Sequence, residues 1–127
     1  MATDMEDLRL LQDVEALCDE IWDAVLQWDD HARRTVGEQL VRSADSIGAN
    51  VAESYGRYAY GEKIQFLYYG RGSLYETKFW LHRAKQRGLI ADENVARYSL
   101  DLDNLAKAIN NFIRSLRSQR SAGKGKS

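Results

Sequence analysis

The sequence contains few side chains of the types that perform catalytic chemistry. Its one cysteine, Cys18, and its two histidines, His31 and His82, lie far apart in the chain. Metal sites and nucleophilic centres need such groups in close sets, and no Glu-x-x-His pair of the kind that binds metals in helix bundles occurs. We therefore expect no enzymatic activity, no metal and no cofactor, and a small buried thiol at Cys18.

A line of aromatic and basic side chains indicates a different chemistry, the binding of nucleic acid. The line recurs at steps of four and three along one predicted helix, opposite its apolar face, and consists of Ile64, Tyr68, Arg71, Tyr75, Lys78 and His82. Aromatic rings can stack on bases while cations contact phosphates, and Arg57 in the preceding turn adds a further cation. Tyr and Arg are also enriched at protein interfaces, so a subunit contact is the alternative interpretation.

A polar line follows the helix before it and consists of Gln39, Arg42, Ser46, Asn50 and Glu53. It is either a solvated face or a hydrogen-bonded network where helices or subunits meet, because buried polar groups require partners. Gly70 and Gly72 lie inside the following helix, where each glycine costs roughly 0.8 to 1.0 kcal/mol relative to alanine. We expect another backbone to approach closely there.

The elements that position these residues are long helices. The 127 residues are 44% hydrophobic and 29% charged and include no proline, which is typical of one globular helical domain. Apolar residues at steps of three and four predict helices over about residues 5–29, 35–55, 61–87 and 91–116. Thr35 to Glu38 resembles a capping box after a turn through residues 30–34, and Gly88 is a natural C-terminal cap. Short connections favour an all-α, antiparallel, up-down-up-down four-helix bundle over residues 1–116.

The charge distribution is more uneven than the net charge of −1 indicates. Residues 1–30 contain ten acidic side chains against Arg9 alone, whereas residues 61–90 contain six basic and two acidic ones. We expect solvated faces that favour correct neighbours inside the bundle or between subunits.

The last segment, residues 117–127, loses the apolar pattern and is predicted to be a basic flexible tail that carries Arg117, Arg120, Lys124 and Lys126. The sequence shows no secretory leader and no apolar run long enough to cross a membrane, which predicts a cytoplasmic protein without membrane contact.

Two segments carry a resemblance to a known family. One is Arg42-x-x-x-Ser46-Ile47-x-x-Asn50-x-Ala52-Glu53, and the other is Gly72-Ser73-Leu74-x-Glu76-Thr77. Over about residues 8–116 the chain resembles the bacterial four-helix-bundle proteins encoded within intervening sequences of large-subunit ribosomal RNA. It is also similar to the accessory variability determinants of diversity-generating retroelements.

The resemblance implies a homopentameric ring, with RNA, DNA or a reverse transcriptase as the partner. The residue types at the matching positions favour a packing or interface role over a catalytic one, and these positions are Arg42, Ser46, Asn50, Glu53, Arg57, Gly72, Ser73, Glu76 and Thr77. The expected function is that of a non-enzymatic oligomeric accessory or binding protein. The alternative is a self-assembling scaffold that contacts no nucleic acid.

Overall fold

The structure, a computed structural model, describes residues 4–123, and this part of the chain is all-helical without strands. Its elements are α1 (Asp4–Leu26), α2 (Asp30–Ala32), a π-helical segment (Arg33–Gly37), α3 (Glu38–Gly56), α4 (Tyr60–Gln86) and α5 (Asp92–Ser121). The backbone is right-handed helical at the junctions between α2, the π-helical segment and α3, so these three form one continuous rod. The described chain therefore has four long rods, consistent with the predicted four-helix bundle.

The core lies where the four rods meet. The rod that contains α3 packs against α1 and α4, and α5 packs against α4 and α1. Each rod contributes large side chains that are almost fully buried, among them Ile21, Leu40, Ile47, Leu67, Leu74, Leu81, Leu102 and Ile109. Burial of one such side chain contributes about 1.5 to 3 kcal/mol, so this apolar stripe is the main source of stability.

Two sets of positions on α1 fit the apolar pattern of a helix, and one of them is buried in the core. Leu10 and Leu17 are buried, whereas Leu11, Cys18 and Trp28 are half-buried at the edge of the core. Adjacent positions on a helix differ by about 100° in direction, so both sets fit steps of three and four. The choice between them depends on where α3 packs.

The start of the second rod contradicts the predicted turn through residues 30–34. Asp29 caps the rod, since its carboxylate accepts a hydrogen bond from the Ala32 amide at 3.0 Å. Thr35 does not form a capping box, because its hydroxyl donates to the carbonyl of His31 at 2.7 Å inside the helix. Such back-bonding by Thr bends helices, and here it coincides with the π-helical segment.

The end of α4 confirms the predicted cap at Gly88, whose φ is +71°. The Gly88 amide donates to the carbonyl of Lys85 at 3.0 Å, and the Leu89 amide donates to that of Ala84 at 2.9 Å. These two bonds form a Schellman motif, which requires a left-handed residue at this position. The motif ends α4 and directs the chain into α5.

Three rods are joined at one end of the bundle by Tyr55 of α3. Its hydroxyl donates to the backbone carbonyl of Asp7 in α1 at 2.6 Å. Its ring stacks on Phe112 of α5, with the ring centroids 5.8 Å apart. One side chain thus connects α1, α3 and α5.

The end of α5 extends past residue 116, the predicted limit of the bundle. The helix continues through Ser121, so Arg117 and Arg120 project from its last turns. Lys124 and Lys126 of the predicted tail lie outside the described residues. Within residues 4–123, no helix combines the length and the apolar character that spanning a membrane demands.

Candidate nucleic-acid interface

The predicted aromatic and basic line lies along the edge of α4 that borders α5. Arg71 donates a hydrogen bond to the side-chain carbonyl of Asn110 in α5 at 2.7 Å, and Lys78 forms an ion pair with Asp103. The line was expected opposite the core, and this expectation was wrong at Ile64, which is only 6% exposed and packs in the core. The remaining side chains border a seam between two helices.

Tyr68 is enclosed by cations from both helices. The guanidinium carbons of Arg71 and Arg117 lie 4.7 and 5.5 Å from its ring centroid, and Arg117 also donates to its hydroxyl. Cation–π contacts of this kind hold the ring and the charges together. A base could stack on Tyr68 only after a guanidinium moved away.

Tyr75 is the open ring of the seam. Its side chain is 55% exposed, and the Lys78 ammonium lies 5.7 Å from its ring centroid. His82, one further step along α4, is also exposed. This half of the line presents the ring of Tyr75 to solvent beside a lysine that is paired with Asp103, and a ring next to a cation is what stacking and phosphate contact require.

The basic surface of α5 was missed by the sequence analysis. Lys107 and Arg114 are exposed and lie four residues after Asp103 and Asn110, on the same side of α5. No acidic side chain follows Asp103 in the sequence. The absence of Asp and Glu from residue 104 onwards was the signal in the sequence for this basic surface. The predicted boundary at residue 116 hid it, because that boundary assigned one part of the basic stretch to the bundle and the other part to the tail.

Arg57 does not join this surface. It pairs with Glu53 at 2.9 Å and with Glu62 at 3.8 Å, and its guanidinium carbon lies 4.6 Å from the ring centroid of Phe66. Positions two apart on a helix project to nearly opposite sides, so Phe66 and Tyr68 face different edges of α4. Arg57 therefore lies on the α3 side of α4.

The motif residues of α3 and α4 form a hydrogen-bonded seam inside the protomer. The hydroxyls of Ser46 and Ser73 are 2.9 Å apart, and the Asn50 amide group donates to the backbone carbonyl of Ser46 at 2.9 Å. Thr77 is fully buried and donates to the hydroxyl of Ser43 at 3.0 Å. At these positions the predicted hydrogen-bonded network between helices is present, and the alternative of a solvated face does not apply.

The two interior glycines of α4 have different surroundings. A Cβ atom on Gly70 would lie 3.5 Å from the carbonyl oxygen of Ile47, so α3 and α4 approach closely there, as expected. A Cβ atom on Gly72 would have no neighbour within 4 Å. The expectation of a close backbone is thus wrong for Gly72 within one protomer.

The remaining motif and polar-line residues lie at the surface. Arg42 pairs with Glu38 at 3.2 Å, and both side chains are exposed. Glu76 accepts a hydrogen bond from the indole of Trp80 at 3.2 Å. Gln39 is half-buried. Arg42, Glu53 and Glu76 therefore take no part in the hydrogen-bonded seam inside the protomer.

Cys18 is held as a neutral thiol. Its sulfur donates to the backbone carbonyl of Ala44 at 3.2 Å. Burial, followed by the charge of nearby Asp45, raises the pKa of the Cys18 thiol to about 12. Since the thiolate is the nucleophile and metal ligand, this environment suppresses both reactivities. Residues 4–123 contain no group of three or more His, Cys, Asp or Glu side chains suited to hold a metal ion.

Comparisons with known proteins place the chain among relatives of unknown role. The family model of the 23S rRNA-intervening sequence protein matches residues 6–111. No curated protein matches the sequence. The fold is similar to that of a protein of unknown function from the S23 ribosomal protein family of Bacteroides thetaiotaomicron. That similarity has a TM-score of 0.80 at 20% identity and covers 86% of this chain and 98% of the other.

Proposed function

The chain belongs to the 23S rRNA-intervening sequence protein family, and we propose that it is a non-enzymatic, oligomeric binding protein whose α4–α5 face contacts nucleic acid. The observation that carries the proposal is the composition of this face. It combines exposed Tyr75 with cations from both helices, and α5 has no acidic side chain after Asp103.

The opposite charge of α1 supports the assignment of that face. Exposed carboxylates follow α1 along its length, at Glu15, Asp19, Glu20 and Asp23 among others. A polyanion is repelled by such a surface and attracted to the α4–α5 face, because the summed charges of a protein steer a charged ligand. The near-neutral net charge thus conceals a strongly divided surface.

The partner and the assembly follow from the resemblance. The accessory proteins of diversity-generating retroelements make RNA, DNA or a reverse transcriptase the partner classes to test, and a homopentameric ring the assembly to test. A ring would repeat the α4–α5 face and add avidity without new contacts. A reverse-transcriptase gene beside the gene for this chain would support the retroelement branch.

The scaffold alternative has its own supporting observation. Arg71, Lys78 and Arg117 already have partners inside the protomer. If these cations act only in joining α4 to α5, the protein has no nucleic-acid contact on this seam. The two functions therefore differ in the role of Lys107 and Arg114, which lie outside the α4–α5 contacts described above.

The test is the affinity of labelled single-stranded RNA and DNA for wild type and for Lys107→Ala/Arg114→Ala, measured by fluorescence anisotropy across a salt series. We expect the double variant to bind more weakly, with the slope of log affinity against log salt shallower by about 0.7 for each phosphate that the variant no longer neutralises. The control Arg9→Ala/Arg87→Ala removes the same charge from an exposed position of α1 and from the exposed residue that follows α4, and it should bind like wild type.

Two outcomes would oppose the proposal. Absence of binding at low salt favours the scaffold, and an equal loss in the control shows a dependence on net charge alone. A further variant, Arg71→Ala/Lys78→Ala, separates a binding face from a subunit contact. A binding face predicts an unchanged oligomeric mass and a lower affinity, whereas dissociation into smaller species identifies an interface.

A further inference from the structure

The side of α4 that faces away from the bundle carries aromatic rings open to solvent. We define the α4 ridge as Tyr69, Gly72, Glu76 and Phe79, which follow one another at steps of three and four. The two rings are 50% and 53% exposed. A bundle protomer needs only one apolar stripe on each helix, and exposed apolar patches on soluble proteins mark interaction sites.

Gly72, at the centre of the ridge, has no explanation within the protomer. Nothing lies within 4 Å of the position that its Cβ would occupy, and its φ is not in the left-handed region. Glycine therefore weakens the helix here without relieving any contact in one copy. Gly70 shows the contrasting case, because α3 passes close to it. A helix from another molecule that crosses α4 at Gly72 would account for the residue.

A groove of complementary character lies between α1 and the second rod. We define the α1–α3 groove by Trp22, Leu26 and Val41, with the arginines Arg34 and Arg42 beside them. Its volume is about 360 Å³, and the side chains of Trp22 and Leu26 are 53% and 46% exposed. The groove is thus an open apolar channel whose rim carries the three arginines Arg33, Arg34 and Arg42 and one carboxylate, Glu38. Arg42 pairs with Glu38 and Arg34 with Asp30, each at 3.2 Å, and the lining itself keeps an excess of positive charge.

We propose that the α4 ridge of one copy packs into the α1–α3 groove of a second copy. The rings of Tyr69 and Phe79 cover the apolar residues of the groove, and Glu76, the one charged residue of the ridge, meets the arginine rim. Arg83, one turn after Phe79, then lies toward Asp45, which follows the groove along α3. Glu76 precedes Arg83 in α4, and Arg42 precedes Asp45 in α3. Both charge pairs therefore form when the incoming α4 runs parallel to α3.

The contact joins two different surfaces. Ridge and groove lie on the same protomer, so the contact is heterologous and each copy can both give a ridge and receive one. A heterologous contact generates a ring when the rotation between copies closes, and the homopentameric ring of the proposed function is such an assembly. This inference rests on the oligomeric part of the proposed function, for which it names the two surfaces.

The experiment uses two full-length variants, each of which lacks one surface, and reads mass by light scattering at micromolar concentration. Tyr69→Ser/Phe79→Ser removes the ridge, and Trp22→Ser/Leu26→Ser removes the groove. The control Tyr58→Ser/Leu100→Ser alters equally large residues that are 73% and 60% exposed and belong to neither surface. Circular dichroism reports whether each variant retains its helices.

We expect wild type and control to be oligomeric and each variant alone to be monomeric. A mixture of the two variants should form a complex of two copies, one of each, because the groove of the first accepts the ridge of the second and no further surface remains. If each variant alone is monomeric and the mixture stays monomeric, ridge and groove do not pair, which overturns the inference.

The remaining outcomes separate the two proposals. A monomeric wild type refutes the oligomeric part of the proposed function. An oligomeric wild type whose mass survives both changes refutes only the ridge-and-groove contact. Gly72→Met is a third variant that does not depend on loss of fold, since Met favours helix more than Gly. It should keep its helix content by circular dichroism and yet fail to assemble, and an intact oligomer would contradict the inference.

Discussion

Single hydroxyl groups position the helices of this protein as much as its apolar side chains do. Thr77 and Ser43 are buried and hydrogen-bonded to each other between α3 and α4. Tyr55 joins three rods through one hydroxyl and one ring. A buried hydroxyl without its partner costs about 1 to 3 kcal/mol, so each of these bonds restricts the way in which the rods can pair.

Tyr55→Phe tests the contribution of one hydroxyl. The ring can still stack on Phe112, while the hydrogen bond to the Asp7 carbonyl is lost. We expect the free energy of unfolding in urea to fall by about 0.5 to 1.5 kcal/mol at neutral pH. Tyr75→Phe, at a 55% exposed position, is the matched control and should leave this free energy unchanged.

The same variant should change the response to alkaline pH. Burial, followed by the charge of Asp7, raises the pKa of Tyr55 above its ordinary value of 10.0. The folded state therefore keeps a proton that the unfolded state loses above that pH, and its stability falls as pH rises. Phe cannot titrate, so the stability difference between wild type and variant should shrink above pH 10. Cys18 shifts in the same direction but is present in both proteins. A difference that stays constant with pH would contradict the assignment.

At the scale of the elements, the sequence predicted the four rods and the cap at Gly88. Both signals are local, since one is the spacing of apolar residues along the chain and the other is the ability of glycine to adopt a left-handed conformation. The start of the second rod was missed because Asp29 and Thr35 can each begin a helix, and tertiary packing decides between them. Ile64 was misplaced because it satisfies both the inner and the outer period. The lack of acidic residues after Asp103 marks the region of Lys107 and Arg114 as basic, but the position of these residues beside α4 depends on tertiary packing.

Asn50→Leu tests the pairing of α3 with α4. Its side-chain amide donates to the carbonyl of Ser46 at 2.9 Å, on the side of α3 that faces Gly70 of α4, and leucine cannot form this bond. We expect unchanged helix content and a loss of about 1 to 3 kcal/mol in stability, with disturbed assembly. Asn104→Leu, the same change at an exposed site on α5, should be tolerated. Equal melting temperature and oligomeric mass in wild type and Asn50→Leu would restore the solvated interpretation.

At the scale of the whole molecule, the acidic helix α1 and the basic half of α5 give the bundle one negatively charged and one positively charged region. The ion pair between Arg97 and Glu20, 2.6 Å apart, joins the two helices at the border between the two regions. The many acidic side chains of α1 reduce the net charge to −1 but leave the local field of α5 in place. A mildly acidic protein can thus present a cationic surface.

Asp19→Asn/Asp23→Asn, on exposed positions of α1, tests this division under the proposed function. Removal of two negative charges outside the α4–α5 face should raise the association rate with RNA at low salt and leave the dissociation rate unchanged, because steering acts before contact. The effect should vanish near physiological ionic strength, where the screening length is about 8 Å. Stopped-flow fluorescence gives both rates. A change in the dissociation rate would place the RNA on α1 instead.

The π-helical segment Arg33–Gly37 has a consequence for comparisons among relatives. The inward residues Ala32, Val36, Leu40 and Ala44 follow one another at successive steps of four. An ordinary α-helix would rotate such a series out of the core, and the wider π turn absorbs the extra rotation. The segment is therefore equivalent to a one-residue insertion within an otherwise regular helix. Homologues that lack it should align with a single gap between Trp28 and Leu40, and deletion of Thr35 should yield an uninterrupted α-helix with the same residues inside.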